Sequence, residues 1–206
     1  DLPTPDHIVE KLTNEMKKPE NFRYSPYNGC SEFREAVASF YEREFSVSLD
    51  PDTEILTLIG SKEGIGHFIP AVMNPVDHFL VPDPGYPAYE MASILADVKT
   101  VPFPLKEENN FVLDFNDIPL NEAKQAKAMI LNYPGNPTAA TVTEDFFHEA
   151  AAFAEENDLL LVHDSAYNMV TFGDYKAPSL MQADINRERM VEFGSLSKGY
   201  SMTGWR

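Results

Sequence analysis

The chain has 206 residues and one cysteine, Cys30, so no disulfide can close within it. A lone cysteine fits a reducing compartment, and its expected role is that of a small buried hydrophobe. No stretch reaches the roughly 18 consecutive apolar residues of a membrane span. The opening Asp1-Leu-Pro-Thr-Pro5 has neither an initiator methionine nor a signal-peptide core. A cytoplasmic location without membrane partners is the expectation. Positive charge is also scarce: 16 Lys and Arg stand against 33 Asp and Glu, a formal charge of −17 that repels nucleic acid. An anionic ligand must then be held by local cations, and runs such as Glu107-Glu108 and Glu155-Glu156 read as solvated helix faces. Histidine and cysteine do not recur at ligand spacing, so no metal is expected, and His163 reads as a packed or supporting histidine.

The hydrophobic content of 43% is enough for one sizeable core. Thr4 is expected to cap a helix with Pro5 in its first turn, apolar Ile8, Val9, Leu12 and Met16 on one face, and Pro19 at its end. Asn21 to Gly29 reads as a loop exposing Tyr24 and Tyr27, after which Ser31 caps a helix carrying Phe33, Ala36, Val37, Phe40 and Tyr41. From residue 54 short apolar runs alternate with amphipathic stretches. Strands are expected near Ile55–Ile59, Phe79–Val81, Val98–Phe103, Ala128–Leu131, Leu159–His163 and Met190–Phe193. Helices are expected near Lys62–Met73, Tyr86–Ala96 and Thr143–Glu156, with a short one around Pro178–Ala183. This alternation predicts an α/β fold of three layers, α/β/α, with a mostly parallel sheet covered on both faces.

In such sheets functional groups gather beyond the carboxyl ends of the strands, and the unusual residues here follow the apolar runs. Gly60-Ser61-Lys62 opens a helix whose free N–H groups can receive an anion, though many helices begin that way. Pro84-Gly-Tyr86-Pro87 stiffens a turn that presents Tyr86, and Asn136 is pinned between Gly135 and Pro137, a setting that suits a plain turn as well. Asp164 ends the run Leu159-Leu-Leu-Val-His163. A carboxylate at the end of a buried strand needs a partner, and a protonated ring nitrogen is one. Tyr167 stands three residues further on.

The last stretch, Phe193-Gly-Ser-Leu-Ser-Lys198, places a lysine among small hydroxyl residues where a strand hands over to a loop. A desolvated lysine near another cation becomes a nucleophilic amine able to form a Schiff base with an aldehyde. Arg206 offers a fork for phosphate. An aldehyde and a phosphate on one small molecule suggest pyridoxal phosphate, against the plain alternative of a surface loop with two ordinary cations.

Gly60-Ser-Lys62, Pro84-Gly-Tyr-Pro87, Asn136-Pro-Thr138, Asp164-x-x-Tyr167 and Ser195-x-Ser-Lys198 with Gly204-Trp-Arg206 occur together and in order. In this the chain resembles the class I/II aminotransferases, the fold-type I pyridoxal phosphate enzymes. The resemblance covers most of the chain. Within the family, Leu58-Ile-Gly-Ser-Lys-Glu-Gly-Ile65, Val81-Pro-Asp-Pro-Gly-Tyr-Pro87, Leu131-Asn-Tyr-Pro134 and Met202-Thr-Gly-Trp-Arg206 are most similar to the LL-diaminopimelate aminotransferase group. The resemblance implies that Lys198 forms the Schiff base and then moves a proton between the substrate and the cofactor. Asp164 would keep the pyridine nitrogen protonated, Asn136 and Tyr167 would bond its phenolic oxygen, and Tyr86 would stack on the ring. Ser61, Lys62, Ser195 and Arg206 would take the phosphate. Tyr24 would reach the phosphate of a neighbouring subunit, which implies a homodimer with shared sites.

By the same resemblance, residues 31–206 form the cofactor-binding large domain, and residues 1–30 a helix and loop near the dimer interface. Family members continue past Arg206 with a further strand and a small domain that grips the substrate carboxylate, so the 206 residues are expected to be part of a longer chain. Ala139 stands where the family usually has Gly after Asn-Pro-Thr. The implied activity is amino transfer between an amino acid and a 2-oxo acid, and the resemblance to the LL-diaminopimelate aminotransferase group points to the LL-diaminopimelate/glutamate pair. A pyridoxal phosphate lyase shares every cofactor residue named, and a cofactor-sensing domain of a transcription regulator shares the fold. The acidic balance argues against the regulator.

Overall fold

Five apolar runs pair into one all-parallel sheet in the computed structural model, which describes residues 2–183 and 187–205. The chain packs as two units, Asp1–Ile59 with Leu196–Arg206, and Gly60–Ser195. The first contains helices α1 (Asp6–Glu15) and α2 (Ser31–Phe45). The second runs α3 (Ser61–Val72), β1 (His78–Asp83), α4 (Ala88–Leu95), β2 (Lys99–Pro104), α5 (Leu120–Gln125), β3 (Ala126–Leu131), α6 (Glu144–Glu156), β4 (Leu160–Asp164) and β5 (Met190–Phe193). The short α7 (Leu196–Gly199) belongs to the first unit.

The strand order is β2-β1-β3-β4-β5. The connections reverse direction between β1 and β3, which creates a switch point at the carboxyl ends of those two strands. Consecutive residues of β1, β3 and β4 are buried, so both faces of the sheet are covered. Strand alternation divides the core. Leu80, Met129, Leu131 and Leu161 join Phe147 and Ala150 of α6 on one face. Phe79, Val81, Ala128, Ile130 and Val162 alternate to the other, and Phe68 of α3 meets Phe193 of β5 edge-on at 5.9 Å. The expected three-layer α/β/α fold with a parallel sheet is the fold observed.

The expected strand at Ile55–Ile59 does not form. Its alternation supplies β propensity but no ladder: the Thr57 N–H donates to the Asn28 carbonyl at 3.2 Å, and Leu56 and Ile59 are exposed. Propensity without a neighbouring strand does not make a sheet. The expected helix at Pro178–Ala183 is a single 3₁₀ turn, Leu180–Gln182, closed by a Ser179/Gln182 capping box. Helix α5 was not expected from the sequence, being too short to show a helical period.

In the first unit, Pro5 and not Thr4 is the N-cap of α1, because the Thr4 hydroxyl donates instead to the Ser201 carbonyl at 2.6 Å. Cys30, not Ser31, caps α2 in an extended conformation, and that position leaves Cys30 exposed where a buried hydrophobe was expected. Tyr24 and Tyr27 are fully exposed, as expected. Their loop is fastened at Gly29, whose carbonyl accepts from Arg34 Nη1 at 2.6 Å. Gly29 has φ of +86°, and a Cβ there would lie 2.0 Å from Thr57 Oγ1, so only glycine fits. Arg34 is itself buried, bonding the Pro51 carbonyl and Asp52. Among the described residues no helix is long and apolar enough to cross a membrane.

Candidate functional site

Asp164 is the last residue of β4 and 5% exposed. It alternates with His163, so its side chain leaves the face packed by α6 and meets the opposite side of the sheet. There the Tyr89 hydroxyl of α4 donates to Asp164 Oδ2 at 2.8 Å. The other oxygen, Oδ1, is buried without a hydrogen-bond partner. Burial pushes the Asp164 carboxyl above its ordinary range, against the Tyr89 donor, the neighbouring His163 and the Ala166 backbone, which all favour its charged form. Burial and the Asp164 carboxylate likewise raise the Tyr89 hydroxyl. A buried carboxylate with one unfilled oxygen is costly unless a cationic or donor group meets it.

His163 is fully buried on the other face, where its ring tilts against Phe147 at 4.7 Å. Nδ1 faces Glu192 Oε2 at 2.7 Å, and Nε2 faces the Tyr133 carbonyl at 2.9 Å. Both nitrogens are thus engaged within the core, as expected of a packed histidine. Glu192 also accepts from Ser179 Oγ and the Leu180 N–H, each at 2.8 Å.

Tyr86 lies three residues past β1 and is half-buried. Its ring meets Tyr89 edge-on at 5.6 Å and 82°, and Lys62 Nζ stands 5.6 Å from its centroid. Asn136, in the loop after β3, is half-buried, and its N–H donates to Asn132 Oδ1 at 2.7 Å. The Asn132 amide donates in turn to the Asp164 carbonyl at 2.7 Å. One buried asparagine therefore ties the loop carrying Asn136 to the end of β4. A narrow crevice opens beside this loop at the β1/β3 switch point, lined by Pro84, Asn132, Asn136 and Thr138 among others.

Ser61 and Lys62 form the first turn of α3 behind an extended Gly60, where free N–H groups favour an anion. Tyr167 is half-buried three residues past β4, and its carbonyl accepts from the Val170 N–H at 2.9 Å. Ser195 follows β5 by two residues and is half-buried. Ser61, Lys62, Tyr86, Asn136, Asp164, Tyr167 and Ser195 all belong to the second unit. In the first unit, Lys198 is exposed in α7, a helical turn where a loop was expected, and its carbonyl accepts from the Ser201 N–H at 3.4 Å. Tyr24 also belongs to the first unit, and Arg206 lies outside the described residues.

A family model for aminotransferase class I and II matches residues 1–206. The chain belongs to that family. Its members depend on pyridoxal phosphate. Among similar proteins of this aminotransferase family, an LL-diaminopimelate aminotransferase of Syntrophobacter fumaroxidans is 48% identical over 206 residues, and one of Moorella thermoacetica is 47% identical. In each case the match covers 100% of this chain and 53% of the relative. The substrate-bound structure of BacF from Bacillus subtilis superposes with a TM-score of 0.96 at 41% identity, covering 100% of this chain and 52% of that one. The chain thus spans about half the length of the curated relatives it matches.

Two features of this candidate site do not stand out in the sequence. Tyr89 shows there only as an aromatic three residues after Tyr86, a spacing that reads equally as core. Asn132 shows only as part of a stiff loop. Ala139 takes φ of +56°, a left-handed conformation that costs a Cβ-bearing residue roughly 1 kcal/mol. Ala139→Gly is therefore expected to stabilise the protein by about 1 kcal/mol, read as a higher denaturant midpoint.

Proposed function

We propose that the protein transfers an amino group between an amino acid and a 2-oxo acid, with LL-diaminopimelate as donor and 2-oxoglutarate as acceptor. The observation that carries the reading is the buried, unfilled Oδ1 of Asp164, which suits a protonated pyridine nitrogen. The donor assignment is supported by relatives 45–48% identical that bear the name LL-diaminopimelate aminotransferase.

When bound, pyridoxal phosphate supplies the electron sink for the pair left as the substrate α-proton departs. Asp164 would hold a proton on the ring nitrogen and so keep that sink available. Tyr86 would orient the ring. Asn136 and Tyr167 would donate to its phenolic oxygen. Ser61, Lys62, Ser195 and Arg206 would bind the phosphate, with the α3 dipole in support. Lys198 would hold the cofactor through its side-chain amine and, when that amine is free, would act as the base that takes up the substrate α-proton and returns it.

Residues 31–206 serve in this reading as the cofactor-binding domain, and residues 1–30 lie near a subunit interface. A homodimer is proposed in which Tyr24 reaches the partner's phosphate. The full exposure of Tyr24, and of Leu12 and Met16 at 42% and 63%, supports it. A cytoplasmic setting completes the proposal.

The test is to incubate the protein, loaded with pyridoxal phosphate, with LL-diaminopimelate and 2-oxoglutarate. Glutamate formed in step with loss of the diamine supports the proposal. Release of ammonia without glutamate would replace it with the lyase reading.

A further inference from the structure

We infer that Tyr89 is a positioning residue for the cofactor: its hydroxyl claims one oxygen of Asp164 and leaves the other, Oδ1, as the oxygen offered to the ring nitrogen. The inference rests on the reading above, in which Asp164 faces that nitrogen.

Tyr89 is 1% exposed in the first turn of α4, and its own carbonyl accepts from Ser93 Oγ at 2.8 Å. Its hydroxyl reaches Asp164 Oδ2 at 2.8 Å while its ring sets the edge-on contact with Tyr86 at 5.6 Å. One side chain therefore touches the residue proposed to lie on the cofactor's face and the residue proposed to lie at its nitrogen. A tyrosine hydroxyl that donates to a carboxylate stabilises the charged form. With Oδ2 occupied, the carboxylate can accept the ring N–H at Oδ1 without swinging. Losing the hydroxyl leaves Oδ2 without its donor in the core, which draws the shared proton from the ring nitrogen toward Asp164.

Tyr89→Phe removes this donor and keeps the ring. Cofactor carrying ¹⁵N in its ring is expected to show, in this variant, a nitrogen resonance moved toward that of unprotonated pyridine. The dissociation constant for pyridoxal phosphate should rise about tenfold, the size of one hydrogen bond to a charged group. The value of kcat should fall by a similar factor, with KM for the amino acid changed by less than about threefold.

A double-mutant cycle with Asp164→Asn, read as cofactor affinity, separates positioning from packing. If Tyr89 acts through Asp164, its effect disappears in the Asp164→Asn background. A Tyr89→Phe variant that keeps the nitrogen resonance and the cofactor affinity of the unchanged protein would overturn the inference. An effect of equal size in both backgrounds would overturn it too. Should Tyr89→Phe fail to fold, recovery of folding by Asp164→Asn in the same chain supports the inference, and persistent failure makes Tyr89 a packing residue. Failure of the unchanged protein to bind pyridoxal phosphate would instead remove the proposed function.

Discussion

If the proposed function holds, Lys198→Ala is expected to abolish amino transfer, lowering kcat by roughly 10⁴-fold or more, because the proposed covalent attachment and general base are lost together. The protein should still fold and bind pyridoxal phosphate, since Lys198 is exposed in a four-residue helix. The cofactor absorbance of the variant should be that of the free aldehyde, without the band near about 420 nm of a lysine adduct. Lys198→Arg separates charge from nucleophilicity. Its guanidinium keeps the positive charge but does not deprotonate, so the same loss is expected. Lys62→Ala, which removes the cation over Tyr86, should cost far less, about tenfold in cofactor affinity. A Lys198→Arg enzyme within about tenfold of the unchanged rate would show that only the charge matters.

Asp164→Asn is expected to lower kcat/KM by roughly 10²- to 10³-fold, the scale of breaking a buried ionic pair. Its effect on the cofactor-free protein should run the other way. Burial raises the Asp164 carboxyl, so its ionisation is harder in the folded than in the unfolded chain. Below the ordinary carboxyl pKa the group is neutral in both states and costs nothing. As pH rises past that value the unfolded chain ionises first, and folding loses stability until the folded carboxyl also ionises. The Tyr89 donor, His163 and the Ala166 backbone oppose this shift, and Tyr86 and Tyr167 stand on the tyrosine side of the pair. Cofactor-free Asp164→Asn should therefore lose less stability between acid and neutral pH than the unchanged protein. Pyridoxal phosphate should stabilise the unchanged protein more than the variant. Parallel melting-temperature profiles against pH for the two proteins, without cofactor, would contradict this.

The placement of Asp164, Tyr86 and Asn136 at or just past the carboxyl ends of strands was legible in the sequence because each ends or follows an apolar run, and a parallel sheet gathers the ends of such runs. The runs were legible because strands buried on both faces are continuously apolar. Ile55–Ile59 has the same composition yet forms no strand, since composition carries propensity and pairing needs a neighbour. Cys30 and Thr4 were misread for a related reason. Which group accepts the Thr4 hydroxyl is decided by Ser201, 197 residues away, and local capping rules do not see that far. Tyr89 escaped notice because a tyrosine inside an apolar helix reads as core. It is core, and its hydroxyl also donates to the Asp164 side chain.

Borohydride reduction of the protein loaded with pyridoxal phosphate, followed by peptide mapping, addresses the proposed chemistry at its first step. Reduction converts a lysine–aldehyde adduct into a stable secondary amine, so the modified residue can be identified by mass. The adduct is expected on the peptide that contains Lys198, and adding LL-diaminopimelate before borohydride should release it. An adduct at Lys62 or another lysine, or none at all, would contradict the assignment of Lys198.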